Sequence, residues 1–217
     1  MGRGAPLLLR IPLLLLAIID LVVLSLRLWP WQEIAYLPNA GTTGYDPIIC
    51  LVTYIGLVYW LSGNCSQAVR KALSAGTIMG LPAGLLLVAH TTLARWPGMQ
   101  IAYFMIGLLI VAGILWGIAG SQASRATGNA GLGIVAGIWS AMVSALIGSG
   151  AALAEINLQN PQPLTLDPWK QYEGLAIGNQ TVQELVHSLN TATAFLLICP
   201  LIGGALGLIF ALAAQKD

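Results

Sequence analysis

The sequence predicts an all-α integral membrane protein, a six-transmembrane-helix bundle with both termini inside. Of its 217 residues, 57% are hydrophobic and only 8% carry a charge, whereas a soluble domain has about 25% charged residues. So few charges cannot cover a surface that faces water, so lipid must surround most of the chain. Six apolar segments reach or approach the roughly 20 residues that cross a hydrocarbon core about 30 Å thick. They cover about residues 11–28, 47–61, 72–93, 99–119, 131–154 and 191–214, and we treat residues 1–217 as one transmembrane domain.

The first segment follows Arg3 and Arg10, as the apolar part of a secretory signal peptide would. No small-residue cleavage site comes after it, because the next residues are Arg27-Leu-Trp-Pro-Trp31. We therefore predict a span that is retained.

The second segment is short but strongly apolar. Asp46 precedes it in the position of a helix cap, and Pro47 suits the first helical residue. The third segment contains Pro82, which should kink its helix because proline has no N–H. The residues between the second and third segments, Ser66-Gln-Ala-Val-Arg70, are predicted to form an inner turn.

The fourth and fifth segments repeat this arrangement. Residues 121–125 read Ser-Gln-Ala-Ser-Arg, almost the phrase at residues 66–70, and we expect a second inner turn there. Two similar hairpins would follow, helices 2–3 and 4–5, which suggests a parallel internal repeat of the kind found in transporters. The alternative is that inner turns of apolar proteins converge on serine, alanine and arginine.

The sixth segment contains Pro200 and is preceded by Thr181-Val-Gln-Glu184, which has the pattern of a capping box. We expect its helix to begin near Val182, above the membrane.

Glycines recur every four residues on two of these helices. Because lipid provides no hydrophobic drive for helices to associate, small residues that allow close backbone approach must supply the contact. The predicted helix-packing residues are Gly76, Gly80 and Gly84 on the third segment and Gly133 and Gly137 on the fifth.

Loop charges predict the direction of insertion, since basic residues favour the cytoplasmic side. With the N-terminus on that side, the inner loops and termini hold Arg3, Arg10, Arg70, Lys71, Arg125 and Lys216, and the outer loops hold Arg27, Arg95 and Lys170. We expect a plasma or inner membrane, two long outer loops at residues 29–46 and 155–190, and Trp60 and Trp116 at the inner boundary.

Asp20 is the one acidic residue in the middle of a span. An ionisable side chain at membrane depth is costly and often marks a path for protons or ions. Asp20 could bind a proton, a cation or a basic substrate. Alternatively, it could be a hydrogen-bonded residue that locks the first helix to a neighbour.

His90 and His187, the two histidines of the chain, are predicted near the outer ends of the third and sixth helices. Two imidazoles at one depth could hold a b-type haem between helices. The simpler interpretation is a pair of interfacial side chains with their polar ends in water.

Gly148-Ser149-Gly150 together with His187 resembles the serine–histidine dyad of rhomboid intramembrane proteases, which also have a six-helix core. The resemblance stops there, because Val186-His187-Ser188-Leu189 has neither the Ala-His motif nor the helix-packing glycines of that family. We do not expect a protease.

Other chemistry is excluded or disfavoured by the motifs. The sequence has no Walker A loop, no H-E-x-x-H and no G-x-G-x-x-G, and its three cysteines form no C-x-x-C pair, so we expect no metal site. No run of basic residues could neutralise a nucleic acid.

Three functions stay open. The first is a non-catalytic membrane subunit of a larger complex, docking onto other subunits or itself through the small-residue helix faces and the outer loops. The second is a small permease or channel that uses Asp20. The third is a b-type haem protein that uses His90 and His187.

Overall fold

The computed structural model describes residues 5–28, 46–62, 66–94, 98–159 and 180–215, and its side chains at residues 11–25, 46–61, 66–94, 98–154 and 187–215. Within these ranges the chain is helical except for short turns, which confirms the all-α prediction. The helices are α1 (Ala5–Leu28), α2 (Asp46–Ser62), α3 (Gln67–Leu93), α4 (Met99–Thr127), α5 (Ala130–Gln159) and α6 (Gln180–Ala214). Most of both predicted outer loops, and the side chains of the predicted capping box at Thr181 and Glu184, lie outside the described residues.

Four helical segments are long and apolar enough to cross a membrane: Gln67–Leu93, Met99–Thr127, Ala130–Ala154 and His187–Ala214. They match the third to sixth predicted spans, and by length and composition they are the helices of an integral membrane protein. The described apolar stretches of α1 and α2, Ile11–Ser25 and Asp46–Leu61, are shorter and are not among these four.

Helix α5 is at the centre of the bundle. It packs against α3, α4 and α6, and it also contacts α1. Residues 139–146 are buried on every side of the helix, as expected for a helix that is surrounded by others. Helix α2 lies at the edge of the bundle, in contact with α1 and α6.

The two hairpins of the predicted repeat are not equivalent. Helix α4 packs along α5, whereas the principal contacts of α2 are with α1 and α6 rather than with α3. The two similar phrases also differ in structure. Ser66 precedes α3 and its Oγ accepts a hydrogen bond from the Val69 amide at 3.3 Å, so it caps the helix. Residues 121–125, in contrast, lie inside α4.

The prediction of a turn at residues 121–125 is therefore wrong, and the turn falls at Gly128-Asn129. Gly128 has a φ of 68°, a left-handed conformation that glycine adopts easily and that ends many helices. Its amide donates to the Ser124 carbonyl at 2.7 Å. The Asn129 Oδ1 accepts from the Gly131 amide at 2.8 Å and helps to start α5.

Trp116 lies inside the bundle, although its position in the sequence suggested the membrane boundary. It is only 3% exposed, and its Nε1 donates to Ser144 Oγ at 3.0 Å. Buried indole N–H groups usually find such a partner. Trp60, the other residue assigned to this boundary, is 74% exposed.

The predicted small-residue faces lie against the chain's own helices. Gly76, Gly80 and Gly84 face α5, and a Cβ on Gly80 would come within 2.7 Å of the Ser140 carbonyl oxygen. Gly133 and Gly137 face α6, where their neighbours are Gly203, Gly207 and Ala211. These glycines hold the bundle together, so they are not surfaces onto which another subunit can dock.

Candidate functional site at Asp20

The Asp20 side chain lies in the buried stripe of α1. Leu13, Ala17, Asp20 and Leu24 are all buried, at the spacing of one helix face. Asp20 is only 2% exposed. The helical spacing that buries its apolar neighbours therefore brings this carboxyl into the contact between α1 and the rest of the bundle.

Ser149 of α5 is the polar neighbour of this carboxyl. Its Oγ lies 3.2 Å from Asp20 Oδ2 and 3.1 Å from the Leu146 carbonyl oxygen. A hydroxyl has one hydrogen to donate. Ser149 can therefore donate to Asp20 or to the Leu146 carbonyl, and when it donates to Leu146 a protonated carboxyl can in turn donate to Ser149. The carboxyl thus has a hydroxyl partner in either protonation state.

Gly150 provides the space for this contact. A Cβ at this position would lie 2.6 Å from Asp20 Oδ1, closer than two such atoms can approach. The absence of a side chain lets the carboxyl reach the surface of α5. The sequence showed the Gly-Ser-Gly run, but nothing local to it indicated that Asp20 would be the partner.

The rhomboid-like pair of Ser149 and His187 does not form. The Ser149 hydroxyl contacts Asp20 and the Leu146 carbonyl, whereas His187 is exposed on α6. A serine nucleophile needs a neighbouring base such as imidazole. The side chain beside Ser149 is a carboxyl instead.

The two histidines lie in different surroundings. His90 is half-buried, with its ring edge-on to Phe195 at a centroid distance of 6.0 Å and an interplanar angle of 69°. Its Nδ1 is buried and has no hydrogen-bond partner among the described residues. His187 lies on α6 about 12 Å before Phe195 along the helix axis. The His90 ring therefore packs against a residue about two turns from His187 along α6.

No group of three or more histidine, cysteine, aspartate or glutamate side chains that could hold a metal ion occurs in the part of the chain that the structure describes.

Other polar side chains tie helices to one another, as is common in membrane bundles. Each of four further hydrogen bonds joins a different pair of helices. They are Trp139 Nε1 to Thr77 Oγ1 (2.9 Å), Trp116 Nε1 to Ser144 Oγ (3.0 Å), Tyr54 Oη to the Leu196 carbonyl (2.8 Å) and Ser124 Oγ to the Ala211 carbonyl (3.3 Å).

These features define a multi-pass α-helical membrane protein with a buried carboxyl between its first and fifth helices. No protein-family model, no curated protein and no solved structure matches this chain.

Proposed function

We propose that the chain is a six-span protein that serves as a non-catalytic membrane subunit of a larger complex. The 24 residues of α1 and the 17 of α2 correspond to lengths of about 36 Å and about 26 Å, against a hydrocarbon core of about 30 Å. Both helices pack on the long apolar helices, which supports their crossing the membrane beside them. The loop charges support an N-terminus on the cytoplasmic side.

The observation that carries the subunit proposal is the open space at two glycines inside helices, Gly56 of α2 and Gly107 of α4. A Cβ on either would meet nothing within 4 Å among the described residues. A glycine inside a helix is less favourable than alanine by roughly 0.5–1 kcal/mol. Packing among the described residues does not account for that cost, whereas close approach of a helix from another subunit would.

Both glycines lie in notches on apolar surfaces. The side chains one turn away on either side are large and exposed. They are Val52, Tyr59 and Trp60 around Gly56, and Tyr103, Phe104, Ile110 and Val111 around Gly107. A partner helix could place its own side chains between these residues. The outer loops, which the sequence suggested as a second docking surface, stay part of the proposal.

The test is purification of the tagged chain from its native membranes in mild detergent, with mass spectrometry of whatever accompanies it. We expect stoichiometric membrane partners. Gly56→Leu or Gly107→Leu should release a partner, because the added side chain fills the notch and its Cβ meets nothing within 4 Å among the described residues. Gly→Ala at the same positions should have a smaller effect.

Two controls separate loss of docking from loss of folding. Ala205→Leu creates the same side chain at another exposed position, on α6, and should keep every partner. Gly80→Leu must collide with the Ser140 carbonyl and should reduce the amount of folded chain itself. A wild-type chain that comes out alone would overturn the subunit proposal.

A small permease or channel is the second candidate, and the Asp20 site favours it. A carboxyl buried between two helices, with a hydroxyl beside it, is a group that can take up and release a proton. We would measure proton flux with a pH-sensitive dye inside vesicles that contain the purified chain. Asp20→Asn should abolish flux in a chain that still folds, and unchanged flux would remove Asp20 from any transport mechanism.

A further inference from the structure

Helix α6 contains a proline in its middle, and the proline removes a hydrogen bond. Pro200 has no N–H, so the carbonyl four residues earlier, on Leu196, lacks its usual helical donor. The Leu196 side chain is only 2% exposed, in the interior of the bundle. A carbonyl without a donor is costly inside a membrane, and proline is tolerated there when a neighbouring group satisfies it.

Tyr54 of α2 supplies that donor. Its hydroxyl donates to the Leu196 carbonyl oxygen at 2.8 Å, and the tyrosine is only 3% exposed. The bond joins two helices that are far apart in the sequence.

We propose that Tyr54, Leu196 and Pro200 form a clasp, in which the tyrosine hydroxyl replaces the backbone donor that the proline lacks. The clasp holds α2 against the middle of α6. Helix α6 cannot change its bend at Pro200 without releasing this bond, and α2 cannot leave the bundle without exposing the Leu196 carbonyl. The clasp therefore couples the position of α2 to the shape of α6.

Two native cysteines can report opening of the clasp. Cys50 lies one turn before Tyr54 on α2, and Cys199 is next to Pro200 on α6. Both are free and buried, at 8% and 5% exposure. Alkylation needs the thiolate, and so it needs contact with water. Each thiol should react with N-ethylmaleimide when α2 and α6 separate far enough for water to enter between them.

The experiment is a double-mutant cycle on the full chain in lipid nanodiscs. Alkylation of each cysteine is followed by peptide mass spectrometry, which also separates them from Cys65. Tyr54→Phe should accelerate alkylation of Cys50 and Cys199 about tenfold, because it leaves a buried carbonyl without a donor. In the Pro200→Ala background the new amide can bond Leu196, so Tyr54→Phe should change the rates by less than about twofold.

Pro82 provides the matched control. It is also inside a helix, but it is exposed and lies on α3. Tyr54→Phe should keep its full effect in the Pro82→Ala background.

The clasp is overturned if Tyr54→Phe has the same effect with and without Pro200, or if it has no effect in the wild-type background. If Tyr54→Phe prevents the chain from accumulating, addition of Pro200→Ala should restore it, and failure to restore it would equally overturn the proposal. The outcome of this double-mutant cycle does not depend on whether the chain has partner subunits or transports a substrate.

Discussion

The hydroxyl of Ser149 on α5 lies 3.2 Å from Oδ2 of Asp20 on α1. This contact joins the first helix of the described chain to the central one, across 129 residues of sequence. It makes Asp20 part of the packing of the bundle as well as a candidate proton site. Substitutions here can separate the two roles.

Asp20→Asn should change the free energy of unfolding by less than about 1 kcal/mol, because the amide has the shape of a neutral carboxyl and can bond Ser149. Asp20→Ala should lower it by about 1–3 kcal/mol, since it removes the partner and leaves a gap. Unfolding in mixed micelles would measure both. Equal losses in the two variants would mean that hydrogen bonding at this position does not matter.

Gly150→Ala should be destabilising by about 1–3 kcal/mol, because the new methyl group would lie 2.6 Å from Asp20 Oδ1. The collision needs the carboxyl. In an Asp20→Ala background, Gly150→Ala should therefore lower the free energy of unfolding by much less. The double-mutant cycle measures this coupling, and additive losses would show that the glycine is needed for another reason.

Gly80→Ala and Gly107→Ala should have opposite effects on the isolated chain. The first places a methyl group 2.7 Å from the Ser140 carbonyl and should be destabilising by about 1–3 kcal/mol. The second meets open space and should stabilise the helix by about 0.5–1 kcal/mol. Thermal unfolding of the two variants side by side would check this. If Gly107→Ala lowered the stability of the isolated chain, Gly107 would not face open space.

Trp116 and Ser144 should be energetically coupled. Interhelical hydrogen bonds in membrane proteins contribute about 0.6 kcal/mol on average. A double-mutant cycle of Trp116→Phe and Ser144→Ala should therefore give a coupling free energy close to this average. Thr77→Val is the comparison, because Thr77 bonds Trp139 instead. Its coupling to Trp116→Phe should be close to zero.

Gly128→Ala should be destabilising by about 1–2 kcal/mol through the backbone alone. Its φ is 68° and a Cβ there would touch nothing within 4 Å among the described residues. Gly128→Asn should lower the stability by less than Gly128→Ala does, because asparagine adopts the left-handed conformation more readily than alanine. If alanine and asparagine were equivalent, the left-handed conformation would not be what matters in this turn.

The helices could be predicted from local patterns. A long apolar run has few alternatives to a helix in lipid, because its backbone groups must bond to one another. Helix α6 accordingly begins at Gln180, close to the predicted start at Val182. The four-residue spacing of Gly76, Gly80 and Gly84 predicted a close helix contact, and these glycines face α5.

The turn at residues 121–125 shows where local patterns mislead. The same phrase precedes one helix and lies inside another, because Ser66 caps α3 whereas the left-handed Gly128 lets α4 continue past Arg125. The similar sequences of residues 66–70 and 121–125 therefore do not have similar structures.

The sequence by itself determined the solvent of this protein, its helical class and the approximate positions of its four long apolar helices, because these depend on hydropathy and spacing along one segment. Only the tertiary structure decided what each helix face meets. The partners of Asp20, of Trp116 and of the Leu196 carbonyl come from other helices. Their choice depends on how each helix is rotated about its own axis, and that rotation is set by packing against neighbours rather than by the residues nearby in sequence.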